Sequence, residues 1–140
     1  MSKPKITYDM QLIKVISLFE SITKTQLRDC FEMGDTLYFV LDTESMGKAI
    51  GKSGANVKRL QALMKRKIKM LEHSEDLATF IRNLIYPITA RQIEITEGKI
   101  VITGQETKDK AILIGRNASN LNQLKSIIQR YFEITELKVM

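Results

Sequence analysis

The chain repeats itself, and that bounds its architecture more tightly than anything else in it. Shifted by 64 positions, residues 50–70 fall on 114–134, with Ile50, Gly51, Asn56, Leu60 and Arg66 identical to Ile114, Gly115, Asn120, Leu124 and Arg130. Val57, Leu63, Met64, Ile68 and Met70 fall on Leu121, Ile127, Ile128, Phe132 and Ile134, which extends the match to the apolar pattern. Two copies make a tandem pair of domains, 1–73 and 74–140, because a solenoid needs more repeats to close its core. A body of 140 residues buries roughly 70% of its unfolded surface, whereas each half alone buries nearer 60%. The halves are therefore expected to lean on each other. Only residues 72–74 separate the copies, with no Gly-rich or Pro-rich spacer, which predicts a rigid pair sharing one surface.

Periodicity gives each copy the same order of elements, αββααβ. In the first, a helix is predicted over 8–21 with Leu12, Ile13, Ile16 and Phe19 inward, Thr7 as cap and Asp9 in the first turn. Strands over 30–33 and 37–41 meet through Gly34-Asp35, a pair suited to a tight hairpin. A short helix over 44–50, a glycine loop, a helix over 55–65 with Val57, Leu60, Leu63 and Met64 inward, and a strand over 67–72 with Ile68 and Met70 on one side complete it. The second copy opens with Ser74 as cap and Leu77, Phe80, Ile81 and Leu84 inward, and Pro87 stops that helix. Strands over 92–96 and 99–103 flank Glu97-Gly98, helices cover 107–114 and 119–130, and a strand closes the chain over 132–139.

The net charge of +6 is uneven. Residues 1–73 carry 13 Lys/Arg against 8 Asp/Glu (+5), and 74–140 carry 9 against 8 (+1). Residues 46–70 alone hold eight Lys or Arg and no acid, a local field that attracts polyanions: RNA, DNA or an anionic membrane surface. No apolar run approaches the ~20 residues of a membrane span, and the N-terminus lacks the apolar core of a signal peptide. A soluble, cytoplasmic protein with no membrane role is expected. One cysteine, Cys30, and one histidine, His73, make neither an internal disulfide nor a His/Cys zinc cluster, and no catalytic constellation or cofactor motif is present. The expectation is a non-enzyme without cofactor or metal.

The basic segment contains Gly51-Lys52-Ser53-Gly54. A Walker A loop, G-x-x-x-x-G-K-[ST], needs a glycine where Met46 stands, and the second copy, Gly115-Arg116-Asn117-Ala118, has no Lys-Ser. A G-x-x-G turn between helices fits both copies better. It lets a nucleic-acid backbone approach with no Cβ in the way, and the helix that follows offers N–H groups and dipole to phosphate. Gly51 and Gly54 would allow the approach, Lys52 would meet phosphate, Ser53 would donate a hydrogen bond, and Lys58 and Arg59 would attract the backbone. Asn56 and Asn120 would touch sugar or base edge, or cap their helix. Ile50 and Ile114 would belong to the core or floor a groove. Lys65, Arg66, Lys67 and Lys69 would extend the positive strip. The low aromatic content, 6% with no Trp, argues against stacking platforms.

Helix, Gly-x-x-Gly, helix in the order αββααβ resembles the type II KH domain. Two such modules without a spacer, the second carrying Ile114-Gly115-Arg116-Asn117-Ala118-Ser119-Asn120-Leu121, are similar to the paired KH region of the NusA transcription factors, and in length to the archaeal NusA-like proteins. The resemblance implies an α+β fold of two three-stranded sheets, each with helices packed on one face. It also implies single-stranded RNA binding tied to transcription elongation or termination, with RNA polymerase or the nascent transcript complex as a further partner. By the same resemblance the RNA-binding residues are Gly51, Lys52, Ser53, Gly54, Asn56, Lys58 and Arg59, with Gly115, Arg116, Asn117, Ala118 and Asn120 in the second copy. KH modules also serve in ribosome assembly, and a KH fold that has become a protein-interaction scaffold is a third reading. Ala118 departs from the family, where glycine is usual. At positive φ an alanine costs about 1 kcal/mol, so the second loop is expected either to change shape or to grip phosphate less closely. Lys58 and Arg59 align with Asn122 and Gln123, which assigns most of the electrostatic affinity to the first copy.

Overall fold

The computed structural model describes residues 10–140, and the expected cap Thr7, the helix start at Tyr8 and the acidic Asp9 lie outside them. The described residues form an α+β fold with two three-stranded sheets and six α-helices, divided into two compact units, one running to Ser74 and the other from Glu75. No described helix is long and apolar enough to cross a membrane.

In the first unit, α1 (Met10–Thr23) leads to the hairpin of β1 (Asp29–Met33) and β2 (Thr36–Leu41), antiparallel, with Met33 paired to Thr36 across the turn. Gly34 takes the turn at φ 61°, a conformation that costs glycine nothing. The third strand, β3 (Lys67–Glu72), runs parallel to β2, in the order β1-β2-β3. Parallel strands need a crossover. Here it is two helices, α2 (Thr43–Ile50) and α3 (Ala55–Met64), and the glycine loop is the elbow between them. Cys30, Leu37, Phe39, Leu41 and Ile68 of the sheet close one core with Phe19 of α1, Ala49 of α2 and Leu60 of α3. Phe19 stacks on Phe39 with ring centroids 4.2 Å apart. Helices and sheet thus fix both arms of the elbow.

The second unit follows the same plan: α4 (Leu77–Ile85), β4 (Ala90–Thr96), β5 (Lys99–Gly104), α5 (Thr107–Ile114), α6 (Ser119–Gln129) and β6 (Glu136–Val139). β5 pairs antiparallel with β4 and parallel with β6. Ile93 opposite Ile102, Ile95 opposite Ile100, and Leu137 and Val139 opposite Ile100 and Ile102 put the apolar residues on one face. The other face carries Gln92, Glu94, Thr103 and Lys138 around Val101, whereas the matching face of the first sheet includes Phe31, Tyr38, Val40 and Leu71. Phe31, Val40 and Leu71 are buried, although Asp29, Lys67 and Lys69 share their face, so the first sheet is the more apolar of the two on this side.

Four details depart from the sequence reading. The cap of α4 is Asp76, not Ser74: its carboxylate accepts from the Thr79 amide at 3.0 Å and from the Thr79 hydroxyl at 2.6 Å. Leu63, expected inward, is 54% exposed, and Ile13 is 48% exposed, while Leu60 and Phe19 are fully buried. The closing strand is shorter than expected. It starts at Glu136, because Phe132 packs on Phe80 (centroids 5.3 Å) and leaves the chain to turn before it reaches the sheet. The repeat therefore slips: Ile68 sits opposite Leu37 as Leu137 sits opposite Ile100, an offset of 69 (137 minus 68), against 64 through the helices.

Candidate nucleic-acid interface

The two glycine loops have the same backbone. Gly51 closes α2 at φ 79°, ψ 171°, Ser53 lies at φ 54°, ψ 30°, and Gly54 at φ 73°, ψ 19° before α3 begins at Ala55. In the second copy Gly115 has φ 73°, ψ 177°, Asn117 φ 55°, ψ 34°, and Ala118 φ 59°, ψ 23°. Of the two outcomes expected for Ala118, a change of loop shape is thus not what occurs. Alanine adopts the left-handed conformation in place, at a cost of about 1 kcal/mol.

The two glycine positions are not equivalent. At Gly51 and Gly115, positive φ is combined with an extended ψ, a region essentially confined to glycine. A Cβ there would lie 3.0 Å from Cγ of Asn56 in the first copy and 2.7 Å from Cγ of Asn120 in the second. At Gly54 a Cβ would meet nothing within 4 Å, which is why the second copy tolerates Ala118 at the matching place.

The asparagines that crowd these glycines hold the elbow. Asn56 Nδ2 donates to the Lys48 carbonyl at 3.1 Å, and Asn120 Nδ2 donates to the Ile112 carbonyl at 2.8 Å. Both acceptors belong to the last turn of the preceding helix, whose carbonyls have no partner within it. The asparagines therefore cap the helix before the loop, not the one they start. Neither α3 nor α6 has a side-chain cap at its own N-terminus, in contrast to α4 with Asp76 and α5 with its Glu106–Asp109 capping box.

Charge separates the copies. Lys52 and Ser53 are exposed at the tip, Lys58 and Arg59 are exposed one turn into α3, and Lys48 is exposed on the last turn of α2. None of these four cations forms an ion pair among the described residues. Lys48 escaped the sequence reading, although its place one turn ahead of Lys52 was a signal. Of Lys65, Arg66, Lys67 and Lys69, expected to extend the strip, Lys65 is exposed just after α3 and the other three have partners or are half-buried. Arg66 pairs with Glu32 at 3.3 Å and Lys67 with Asp35 at 3.2 Å, and the Lys67 ammonium holds the Asp35 carboxyl below its usual range. Lys69 is half-buried, and desolvation lowers its pKa. In the second copy Ile112, Asn122 and Gln123 occupy the places of Lys48, Lys58 and Arg59, leaving exposed Arg116 at the loop with exposed Asn117 beside it. Ile50 and Ile114 are half-buried at the ends of α2 and α5, between the core and groove-floor readings.

The geometry therefore offers two similar elbows, one ringed by cations that form no ion pair among the described residues. No protein-family model matches the chain. A relative from Methanocaldococcus jannaschii, a probable transcription termination protein NusA, is 30% identical over 139 residues, covering 97% of this chain and 76% of that protein. The chain belongs to the archaeal NusA-like family. A NusA-like protein of the same description from Thermoplasma acidophilum is 26% identical over 142 residues, covering 99% of both chains. Among solved structures, the crystal structure of APE1850 superposes with a TM-score of 0.72 at 24% identity, covering 95% of this chain and all of that one, which shows the shared fold.

Proposed function

We propose that this NusA-like protein is a single-stranded RNA-binding factor of transcription elongation or termination, built from two type II KH modules whose glycine loops receive the RNA backbone. The observation that carries the reading is the repeated elbow: in both copies an asparagine ties the loop to the preceding helix, and in the first the loop is ringed by Lys48, Lys52, Lys58 and Arg59. Phosphate would lie over Gly51 to Gly54 at the uncapped start of α3, with Lys52 and Ser53 at the tip and the cations on either side. Gly115, Arg116, Asn117 and Ala118 form the matching seat in the second copy. Asn56 and Asn120 serve as loop-holding residues, because their amides already donate to carbonyls. The αββααβ order with a parallel closing strand supports the KH assignment, and the names of the relatives support the setting in transcription, with RNA polymerase or the nascent transcript complex as partner. The chemistry asks for no cofactor.

Fluorescence anisotropy with single-stranded RNA tests the reading. The wild-type chain is expected to bind with an affinity that falls by about 0.7 log units per log unit of salt for each phosphate contact. A folded Lys52→Asp/Ser53→Asp variant is expected to lose most of that binding. Equal binding by the two chains, or none by either, would sink the loop mechanism.

A further inference from the structure

The two sheets have an edge strand in the same place, β1 in one and β4 in the other, and the two edges are finished differently. The Met140 amide donates to the Ile102 carbonyl at 2.8 Å and the Glu136 amide to the Gly98 carbonyl, so Ile100 and Ile102 turn their backbone toward β6. Their partners on β4, Ile95 and Ile93, therefore stand in non-hydrogen-bonded pairs and turn N–H and C=O outward. Positive φ at Glu97 (47°) and Gly98 (80°) agrees, because a two-residue hairpin of that type places a bonded pair at Thr96 and Lys99. In the first sheet the His73 amide on the Leu41 carbonyl sets the same alternation, which makes Cys30 and Glu32 the outward residues of β1.

The first edge is closed at both positions. The Cys30 amide donates to the Asp29 carboxylate at 2.8 Å, Asp29, Cys30 and Phe31 are buried, and Glu32 sets a charge on the edge, paired with Arg66. The second edge has neither device. Cys30 sits opposite Phe39 as Ile93 sits opposite Ile102, and Glu32 opposite Leu37 as Ile95 opposite Ile100. Gln92 stands where the first edge has Asp29, and no described side chain caps the Ile93 or Ile95 amide. Gln92, Glu94, Ile95 and Thr96 are exposed, Ile95 by 41%. The register shift of β4 lies at its start, between Ala90 and Gln92, and leaves Gln92 to Thr96 regular. Such an edge is a template for another strand.

We propose that β4 pairs antiparallel with β4 of a second copy, joining two three-stranded sheets into one of six strands. A second copy is favoured over a foreign strand because the edge complements itself. With the two-fold axis at Ile93, that residue meets Ile93 of the second copy in a bonded pair, and Gln92 meets Glu94 twice, amide to carboxylate. Moving the axis to Glu94 would oppose two carboxylates, which disfavours that register. Residues 74–140 carry 9 Lys/Arg against 8 Asp/Glu, so two such units meet with little repulsion. The helices of the second elbow pack on β5 and β6, whereas α4 packs on β4. Self-pairing thus leaves the second glycine loop open, and it stands apart from the RNA-binding reading.

Sedimentation velocity on the full chain without RNA, from about 1 µM to about 1 mM, tests the pairing. The mass is expected to rise with concentration from the 16.0 kDa of one chain toward twice that, because a single strand pair makes a small interface. Ile95→Lys sets a charge where the first edge has Glu32. Ile95→Pro removes an outward N–H without taking a bond from the ladder to β5. Both variants are expected to keep the wild-type circular dichroism and the single-chain mass throughout. Should the proline variant unfold, the lysine variant, at a side chain already open to solvent, carries the test. Gln92→Lys sets an ammonium opposite Glu94 at both ends and is expected to tighten the dimer by on the order of fivefold. A wild-type mass of one chain at every concentration overturns the proposal and leaves the edge to a strand of another protein. A dimer that the Ile95 variants leave intact overturns it as well, by placing the contact elsewhere.

Discussion

Two loops with one backbone differ in nearly every side chain around them, and the comparison separates what the fold requires from what a ligand requires. The glycine that opens each elbow, the asparagine five residues later, and the carbonyl that asparagine caps occur in both copies with matching geometry. Those are conditions of building the turn. The residues at the tip and on the shoulders are Lys52, Ser53, Gly54, Lys58 and Arg59 in one copy and Arg116, Asn117, Ala118, Asn122 and Gln123 in the other. Those can vary without disturbing the turn, so they are where selection for a ligand can act.

The sharpest way to break the comparison is at the shared glycines. Gly115→Ala puts a Cβ against Asn120 and forces alanine into a glycine-only region, and is expected to cost about 3–4 kcal/mol in urea unfolding. Gly51→Ala, with a little more room, should cost somewhat less. A loss under about 1 kcal/mol at both would show that the elbow is not held as described.

The helices after the loops should respond differently to one change. Sequence alignment equates Leu63 with Ile127, but Leu63 is 54% exposed and Ile127 is buried. Ile127→Ala is expected to cost about 3 kcal/mol and Leu63→Ala under about 1, by the same unfolding measurement. Equal losses would restore the simple repeat.

That pair also marks how far the sequence could be read. The duplication, the element order and the elbow were all legible, because apolar periodicity and two glycine loops are local signals that survive in both copies. The start of β6 was not. Phe132 alternates with Ile134 as a strand residue would, but its apolar surface is satisfied by Phe80, a contact between residues far apart in sequence. The role of the asparagines was half legible. Their identity across copies with otherwise different neighbours pointed to a shared task, but only the structure shows the amide reaching back, as the tilt of helical Cα–Cβ bonds toward the N-terminus favours. The fate of Arg66 and Lys67 depended on Glu32 and Asp35, which the hairpin brings to them. Charge counts along the chain could not see that pairing.

A smaller effect sharpens the contrast at the last loop position. Ala118→Gly is expected to stabilise the chain by about 1 kcal/mol, and Gly54→Ala to destabilise it by a similar amount, since both residues lie in the left-handed region with open space around Gly54. Thermal or urea unfolding reads both, and opposite signs are the point. If the two changes moved stability in the same direction, the loops would not share a backbone in solution.

The smallest effect concerns the first helices. Thr79 donates through its hydroxyl and its amide to Asp76 and holds that carboxyl below its ordinary value. The folded state thus binds this proton less readily than the unfolded one. The stability it gives is present above about pH 4 and is lost as pH falls through the lowered folded value. Asp76→Ala should flatten the acid limb of a pH–stability profile, and an unchanged profile would remove Asp76 as the cap of α4.

The claim on which the account turns is that the first elbow is the main seat of RNA backbone, and amide NMR during titration with a uridine-only oligomer tests it most directly. The account predicts that signals of Gly51 to Val57 shift first, before those of Gly115 to Leu121, and that added salt reverses the shifts. Shifts that begin at the second elbow, or that leave both glycine loops untouched while RNA binds, would contradict it.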